Sequence, residues 1–386
     1  MTHLQEAIRK LQLNNKLVIL HACGTEQQKK LTVALTKGYD FVDLSLAGVR
    51  MQAKQDGAAF VRSLPLPAYV ANLQYMPSLL PHLLAEGEPF SNIIVSCCQN
   101  YYLQEAAAQD MEKIAFVELP WSAACDERLF IPQEEMLAHL AAAGNRTEVL
   151  KAIVRGNLAC SDSVSKAAFI SRVLQQNIME QTTVSDELRF FNFLCAVAGM
   201  VGSVVNYTTL ANVVGVSSPT AKQWLQFLAG AGLIYFLQPV EEIAGKRLLK
   251  APKLYFKDTG IAAHLLQLHD TSSLIASLHF KALYENYVVN IIRESYLKQG
   301  VLPEILFCRD SNNKEISMLL RCADILYPVL ISKDGISVQK LIKLFALLTP
   351  YVEKTGAVLG VGCMITLGGA SRKLSDNLWQ INAELL

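Results

Sequence analysis

The chain has 386 residues, which is long enough for two or three domains that each bury their own core. Its 35 basic and 34 acidic residues give a net charge of +1, so no overall field directs it to nucleic acid or to acidic partners. Nine cysteines with no Cys-x-x-Cys pair and no zinc-type Cys/His spacing favour free thiols in a reducing cytoplasm over a disulfide framework.

The first 131 residues alternate short apolar runs with helical patterns. A charged amphipathic helix at the start does not have the character of a signal peptide. Five later runs have the composition of strands, namely KLVILH, YDFVDLS, LPAYVANLQ, NIIVSCC and IAFVELP. Because strands that alternate with helices form βα units, this part is predicted to be an α/β domain with a largely parallel sheet.

The stretch ACGTEQQKKLT at residues 22–32 lies between the first predicted strand and a helix, where a phosphate-binding loop is expected. Gly24 and Lys30 match the first glycine and the lysine of the pattern G-x-x-x-x-G-K-[ST]. Lys29 replaces the second glycine, and Leu31 replaces the Ser/Thr that would hold Mg²⁺. Two interpretations follow. The loop is a remnant of a nucleotide site, or Gly24 only turns the strand into the helix and Lys30 is a solvated first-turn residue.

Residues 132–186 have helical patterns and are predicted to form a helical lid or linker. The stretch YTTLANVVGVSSPTAKQWLQFLAGAGLIYFLQPV follows within residues 187–260. It predicts a short helix, a turn at Gly215, a second helix capped by Ser217, and a strand. This is the spacing of a winged helix-turn-helix.

Residues 261–386 combine the helix ALYENYVVNIIRESYLK with the strands EILFCRD, KEISMLLRC, ILYPVLIS and AVLGVGCMIT, which predicts a separate small α/β domain. Elsewhere, the apolar run FFNFLCAVAGMVGSVV is interrupted by polar residues and is shorter than the roughly 20 apolar residues of a spanning helix. We interpret this run as a buried helix and expect no membrane association.

This order of parts resembles a family of prokaryotic AAA-type (AAA+) ATPases, in which a P-loop domain precedes a winged helix and a C-terminal domain of unknown function with a restriction-endonuclease-like core. The similarity extends over nearly the whole chain, and its most specific motif is PKLYFKDTGIAAHLL. Further motifs are LYENYVVNIIRE and RKLSDNLWQINAEL. The resemblance implies an α/β fold with a P-loop NTPase-like parallel sheet at 1–131, a helical lid at 132–186, a winged helix at 187–260 and a nuclease-like domain at 261–386.

At the positions that carry catalysis in this family, the sequence differs from the family pattern. The paired acids that would bind metal and activate water correspond to Ala71 and Asn72, although Gln74 follows as the family pattern requires. The Thr-Gly-Ser of the next strand corresponds to residues 96–98, Ser-Cys-Cys, and the arginine before the last core strand corresponds to Lys113. These changes predict a degenerate member that does not hydrolyse ATP, with a vestigial nucleotide-binding loop at Gly24, Lys29 and Lys30.

The residues that would form a nuclease site in the C-terminal domain also differ from the family pattern. A nuclease of this type needs a helix glutamate, a strand aspartate and a Glu-x-Lys, so that carboxylates hold a metal ion beside the phosphate. Glu285 matches the first position and Glu315 lies nearby, but Ser317 stands at the aspartate position. Leu330 and Ser332 stand where Glu and Lys are expected. We expect no metal site and no nuclease activity, and we interpret Glu285 and Glu315 as structural or surface residues.

The predicted winged helix offers two surfaces for DNA. Its second helix contains Lys222 as its one basic residue, with Gln223 and Gln226 as further polar groups, and Trp224 follows core spacing. The wing is more basic, and a cluster there would hold phosphates weakly and in a salt-sensitive way. Its candidate phosphate contacts are Lys246, Arg247, Lys250 and Lys253. The alternatives are a solvated β-ribbon or a protein-docking unit.

The sequence therefore predicts a catalytically inactive relative of an AAA-type ATPase that acts as an interaction or scaffold protein in the cytoplasm. We expect no catalytic residue, no bound metal and no cofactor, and an unidentified protein as its partner. Two alternatives remain open. One is a switch that binds ATP, with or without Mg²⁺, without hydrolysing it. The other is a weak, non-specific DNA-binding protein that uses the wing.

Overall fold

The computed structural model describes residues 2–15, 17–86, 92–107, 110–121, 129–133, 136–137, 145–157, 162–240, 251–310 and 312–386. Its first elements are α1 (Thr2–Asn14), β1 (Leu17–His21), α2 (Glu26–Leu35), β2 (Asp40–Asp43), α3 (Ala47–Gln55), α4 (Gly57–Arg62), β3 (Ala68–Ala71), α5 (Leu80–Glu86), β4 (Ile93–Cys97), α6 (Tyr101–Ala106) and β5 (Ile114–Glu118). The five strands predicted for this part of the sequence are confirmed.

These five strands form one parallel sheet in the order β2-β3-β4-β1-β5. Parallel strands with both faces covered are apolar throughout, which explains the uninterrupted run of β1. Leu17 and Ile19 enter the apolar cluster on one face, whereas Val18 and Leu20 enter the cluster on the other. Because β1 lies between β4 and β5 while its own connection leads to β2, its carboxyl end is a topological switch point. Open α/β sheets bind ligands at such points.

Helices form the middle of the chain. They are α7 (Arg146–Arg155), α8 (Ser163–Val173), α9 (Glu187–Ala198), α10 (Tyr207–Val214) and α11 (Ser218–Gly230), and α8 continues as a π-helix at Leu174–Met179. As predicted, Ser217 caps α11 and Gly215 ends α10 with a φ of +68°. The predicted helix EEMLAHLAAAG lies largely outside the described residues.

The last elements are β6 (Ile234–Pro239), β7 (Lys253–Phe256), α12 (Thr259–Leu265), α13 (Thr271–Ala276), α14 (Phe280–Leu297), β8 (Glu304–Arg309), β9 (Glu315–Cys322), β10 (Ile325–Ile331), α15 (Val338–Phe345), α16 (Thr349–Thr355), β11 (Val358–Leu359), β12 (Gly362–Thr366), β13 (Arg372–Ser375) and β14 (Leu378–Asn382). The strands form a second, mixed sheet in the order β13-β14-β12-β10-β9-β8-β6-β7, with β11 beside β10.

This second sheet crosses the predicted boundary at residue 260. Strand β6 pairs antiparallel with β7 and, on its other side, parallel with β8, where Gln238 lies opposite Leu306. The described parts of residues 187–260 and 261–386 therefore share one sheet. The helix α9, which comes from the apolar run considered above, buries Phe190 and Phe193 in the largest core. Among the residues described, no helix is long and apolar enough to cross a membrane.

Candidate functional site

A cavity of about 640 Å³ lies at the carboxyl ends of β1, β3 and β4. Helix α2 forms one wall, and the end of α8 with its π-helical extension forms the wall opposite. The residues that line it are Ala22, Cys23, Gly24, Lys29, Thr32, Val33, Phe41, Ser45, Tyr69, Ala71, Asn72, Gln74, Tyr75, Ser96, Cys97, Cys98, Arg172, Gln176 and Asn177. This is the position at which the sequence predicts a vestigial nucleotide site.

The loop after β1 uses its own side chains to satisfy its backbone. Thr25 and Gln28 form a capping box at the start of α2. The Oε1 atom of Gln28 accepts from the N–H groups of Gly24 and Thr25 at 3.1 and 3.3 Å, and Oγ1 of Thr25 accepts from the N–H of Gln28 at 3.2 Å. The N–H of Lys29 donates to the Thr25 carbonyl at 3.0 Å. Four amides that a phosphate-binding loop would direct at a ligand therefore donate within the loop.

The loop residues that match or replace the phosphate-binding pattern lie in different environments. Gly24 has a φ of +86°, the left-handed region that favours glycine, and it lines the cavity. Lys29 also lines the cavity, but its ammonium lies 2.8 Å from the exposed Glu26 carboxylate. Lys30 is exposed and does not contribute to the lining. Leu31 is buried in the apolar cluster on one face of the sheet. A side chain at this position of α2 therefore packs in the core and is not placed to bind magnesium in the cavity.

Ala71 and Asn72, which the sequence aligns with a pair of acids, stand at the end of β3. Ala71 ends β3 and is buried, and Asn72 has a left-handed backbone with a φ of 65°. The Nδ2 of Asn72 donates to Asp43 at 2.9 Å, and its Oδ1 accepts from Gln74 at 3.2 Å. The Oε1 of Gln74 accepts from the N–H of Cys98 at 3.2 Å. These bonds connect the ends of β2, β3 and β4, which gives the amides a structural role.

Arg172 at the end of α8 is a cavity residue that the sequence interpretation missed. Its Nη2 donates to the carbonyl of Gly24 at 3.0 Å, and its guanidinium lies 5.0 Å from the ring centroid of Phe169. The π-helix that follows places Gln176 and Asn177 in the same cavity, and π-helical segments often occur at functional sites. No sequence signal marks Arg172. Gln28 was detectable, because Thr25-x-x-Gln28 matches the capping-box pattern.

The three cavity cysteines have raised pKa values. Burial raises the pKa of Cys23 to about 12 and that of Cys98 to about 12, and it raises the pKa of Cys97 as well. Thiols in this state are poor nucleophiles and poor metal ligands at neutral pH. Among the described residues, no group of three or more His, Cys, Asp or Glu side chains is arranged to hold a metal ion.

A second polar cluster joins the first sheet to the rest of the chain. Glu118, at the end of β5, receives both terminal nitrogens of Arg293 from α14 at 2.8 and 2.6 Å, and Lys257 approaches it at 2.9 Å. Burial alone would raise the pKa of Glu118, but Arg293 and Lys257 outweigh it and hold this pKa well below its usual range. The Nε2 of His21 lies 2.8 Å from the Gly230 carbonyl, and burial followed by Lys257 lowers the pKa of His21 to about 4.

This cluster faces a second cavity of about 670 Å³ between α6, α11 and β6. Lys257 and Glu118 line it on the inside, and Glu105 and Gln226 lie at its exposed rim. The lining carries charges of both signs, in contrast to the cavity beside Gly24.

The structure corrects the assignment of Lys253. This side chain is buried, and its Nζ lies 2.7 Å from Glu285 and 2.5 Å from Glu315. Tyr255 also donates to Glu285, at 2.6 Å. Burial would lower the pKa of Lys253, but the two carboxylates outweigh it and raise that pKa. Lys253 is therefore an internal counter-ion and does not form part of a phosphate-binding surface. The other predicted contacts, Lys246, Arg247 and Lys250, lie outside the described residues.

Ser317, which stands at the predicted aspartate position of a nuclease site, is buried. Its Oγ accepts from the N–H of Ile331 at 3.2 Å. Glu285 is buried beside Lys253, so it is not a surface residue, and its structural role stays a prediction.

Helix α11 is packed against the first part of the chain. Trp224 lies within 5.1 Å of Phe190 and 5.3 Å of Phe193 between ring centroids, which confirms that it belongs to the core. Tyr101 of α6 packs edge-on against Phe227 at 4.9 Å. The Nε2 of Gln99 donates to the carbonyl of Phe227 at 3.1 Å. The carboxyl-terminal half of α11 is therefore covered by residues 99–102.

One family of known proteins matches the middle of the chain. Residues 157–272 match the family described as a domain of unknown function, DUF8612. The chain is similar to the uncharacterized protein Rv2008c of Mycobacterium tuberculosis, at 31% identity over 88 residues. It is similar to the same extent to the uncharacterized protein Mb2031c of Mycobacterium bovis. Each match covers 23% of this chain and 20% of the relative. The family match includes Arg172, helices α9 to α12, and the buried Lys253 and Lys257.

Proposed function

We propose that this chain is a catalytically inactive relative of prokaryotic AAA-type ATPases, and that it acts as an interaction or scaffold protein. In this proposal the parallel sheet corresponds to the ATPase domain, α7 and α8 to its helical lid, α9 to β7 to the winged helix, and the remaining elements to the nuclease-like domain. The position of the Gly24 loop at the switch point of a parallel sheet supports the relationship.

The observation that carries the proposal is the capping box of Thr25 and Gln28. A working phosphate loop leaves its amides free for the β- and γ-phosphates. Here Gln28 occupies two of them from a position that is 1% exposed, and its Nε2 is fixed by the Leu119 carbonyl at 2.9 Å. Opening this loop would leave buried polar groups without partners, at a cost of about 1–3 kcal/mol for each.

Three further features support an inactive state. The exposed Lys30 does not line the cavity, Leu31 is part of the core, and neutral side chains stand at positions 71 and 72. Among the described residues, no carboxylate side chain that could activate a water molecule lines the cavity.

The experiment that tests the proposal measures phosphate release from Mg-ATP by the purified chain, beside its Lys30→Ala variant. We expect both proteins to stay at the level of buffer alone. Leu31→Thr should not create activity, and it should lower the melting temperature because Leu31 is buried. Magnesium-dependent release by the native chain that is lost on Lys30→Ala would refute the proposal.

The second candidate function is weak DNA binding through the proposed wing. It rests on Lys246, Arg247 and Lys250, because Lys253 is buried and the carboxyl-terminal half of α11 is covered. We expect any binding to be indifferent to sequence and to fall steeply between low and physiological salt. Anisotropy titrations with two unrelated duplexes would test this, using a variant with alanine at all three wing positions. Tight, salt-resistant binding that depends on Gln223 or Gln226 would contradict it.

A further inference from the structure

The cavity beside Gly24 remains open although the loop amides are occupied. Its volume of about 640 Å³ lies within the range of small-molecule sites, roughly 300–1,000 Å³. The described residues that line it include Lys29 and Arg172 but no Asp or Glu. Because Lys29 is paired with Glu26 and Asp43 lies 2.9 Å from Asn72, the positive charge that the lining offers is concentrated at Arg172 and does not depend on the backbone of the loop.

Arg172 is the cation that the cavity holds most firmly. Phe169 lies against its guanidinium and the Gly24 carbonyl accepts one of its N–H groups, so the side chain is fixed at the mouth of the loop. Within the described part of the chain, no carboxylate lies within ion-pair distance of Arg172. A guanidinium has five N–H donors in a planar fork that matches a carboxylate or a phosphate. The positioned fork therefore has donors left for an oxyanion.

An aromatic pair lines another part of the same cavity. The rings of Phe41 and Tyr69 lie 5.6 Å apart, and the hydroxyl of Tyr69 is fixed by Ser96 at 2.8 Å. Phe41 is 65% exposed, although it stands on a strand of the sheet, and Val33 beside the cavity is 72% exposed. An exposed ring at the edge of a cavity offers a face on which a planar group can stack.

We propose that this cavity binds a small ligand in which an oxyanion is joined to a planar ring, and that it does so without a metal ion. The guanidinium of Arg172 pairs with the oxyanion, and Phe41 stacks on the ring. The inference rests on the proposed function. If the loop amides do not bind phosphate, the ligand must be recognised by the side chains of Arg172 and Phe41. The oxyanion is a carboxylate or a phosphate, since both match the fork of Arg172.

The test is calorimetric titration of the full chain in EDTA. The probes are adenosine 5′-monophosphate and benzoate, with adenosine and inorganic phosphate as the separated halves of the first. We expect saturable binding of a probe that has both a ring and an oxyanion, and at least about tenfold weaker binding of either half. Binding of the monophosphate alone assigns a phosphate ligand, and binding of benzoate alone assigns a carboxylate.

Two variants with matched controls test the assigned residues. Phe41→Ala should weaken binding by about fivefold or more, which corresponds to the lower end of the free energy of ring stacking. Phe191 is an exposed phenylalanine of α9, and Phe191→Ala should leave binding unchanged. Arg172→Gln should abolish binding, whereas Arg189→Gln, at an exposed i,i+3 pair, should leave it unchanged. If Arg172→Gln does not fold, Phe41→Ala still decides, because its side chain is exposed.

Absence of saturable binding of both probes to the native chain would overturn the inference, as would equal binding by Phe41→Ala or a requirement for Mg²⁺. These outcomes differ from failure of the proposed function, which would appear as magnesium-dependent phosphate release from ATP.

Discussion

Lys253 is a buried lysine whose role is set by the two carboxylates beside it. Its ammonium lies between Glu285 and Glu315, and its side chain is 2% exposed. In metal-dependent nucleases, clustered carboxylates hold a divalent cation. Here a lysine supplies the positive charge, so the carboxylates are neutralised without a metal ion.

Replacing Lys253 by Met should destabilise the protein by about 3–5 kcal/mol, because it removes the close counter-ion of both carboxylates and leaves only the 3.8 Å contact of Arg309 with Glu315. Lys151→Met is the matched control, since Lys151 and Glu148 form a pair in which both side chains are more than half exposed. This control should change stability by less than about 1 kcal/mol. Urea unfolding at pH 7 and pH 5 measures both effects. The penalty for Lys253→Met should shrink at the lower pH as Glu315, whose pKa burial raises, takes up a proton. A penalty equal to that of the control would contradict the assignment.

His21 should make stability depend on pH. Burial holds its folded-state pKa at about 4, below the value of 6.5 for an unfolded histidine. Its stabilising contribution is therefore complete above about pH 6.5 and is lost as the pH falls toward 4, on the order of 3 kcal/mol in all. Glu118 adds a further loss below its ordinary value of 4.5, because its folded-state pKa is depressed.

Melting temperatures between pH 7 and pH 4 test this prediction. His21→Gln keeps a donor for the Gly230 carbonyl but cannot titrate, so its melting temperature should fall less steeply over this interval. His3→Gln, at an exposed position of α1, should leave the slope of the native chain unchanged. Identical slopes for His21→Gln and the native chain would show that His21 is not the titrating group.

At this scale the sequence was least informative. Lys253 stands in a basic run with Lys250 and Lys257, which predicts an exposed charge cluster, but its partner carboxylates are 32 and 62 residues away along the chain. The sequence next to a lysine does not indicate whether its side chain will be buried in an ion pair with two carboxylates or exposed to solvent. Arg172 was missed for the same reason, since its contact with Gly24 spans 148 residues.

Among the elements, α11 is the helix whose carboxyl-terminal end packs against residues 99–102. Its end is held by the N–H of Asn100, which donates to the Gly230 carbonyl at 3.1 Å, and by the ring of Tyr101 against Phe227. A Cβ added at Gly230 would lie 1.9 Å from Oε1 of Gln99. Close packing at this glycine is therefore what brings α11 against the first sheet.

Gly230→Ala should lower stability by about 1–3 kcal/mol, because the added methyl group overpacks this contact. Gly48→Ala is the matched control, since Gly48 lies in α3 with no atom within 4 Å of an added Cβ. That change should stabilise the chain by about 0.5–1 kcal/mol, because alanine is the better helix former. Chemical unfolding measures both. A neutral or stabilising Gly230→Ala would mean that α11 and residues 99–102 are not in close contact.

The elements themselves were predicted well where the pattern was strong. The five parallel strands followed from apolar runs alternating with helices, and the capping residue Ser217 and the turn at Gly215 followed from side-chain chemistry. The pairing of β6 with β8 could not be predicted, because β7 and the helices α12 to α14 stand between the two strands in the chain and a parallel register leaves no local signal.

At the scale of the whole molecule, the second sheet joins two predicted domains. Strand β6 lies beside β8, and Asn286 and Asn290 of α14 donate to the carbonyl of Phe256 at 2.9 Å. A chain that begins after β7 would lack the neighbour of β8 and the lysine between Glu285 and Glu315. The predicted boundary at residue 260 thus divides a common sheet.

We therefore expect residues 145–386 to fold on their own and residues 261–386 not to fold. The longer fragment keeps α7, α12 and the whole second sheet, whereas the shorter one exposes an unpaired edge strand. Circular dichroism and thermal melts of the two fragments make the comparison. A cooperative melt of residues 261–386 alone would restore the boundary at residue 260.

The contact between the first sheet and the rest of the chain is built differently, and this has a mechanical consequence. No strand of one sheet pairs with a strand of the other among the described residues. Side-chain contacts join the first sheet to the rest of the chain, among them the ion pair of Glu118 with Arg293, the contact of His21 with Gly230 and the packing of Tyr101 on Phe227. Such contacts break over a few ångströms of separation, whereas a sheet under shear must lose several backbone bonds at once. Pulled from its two ends, the chain should part first at this joint, and at a lower force in acid, where His21 and Glu118 take up protons.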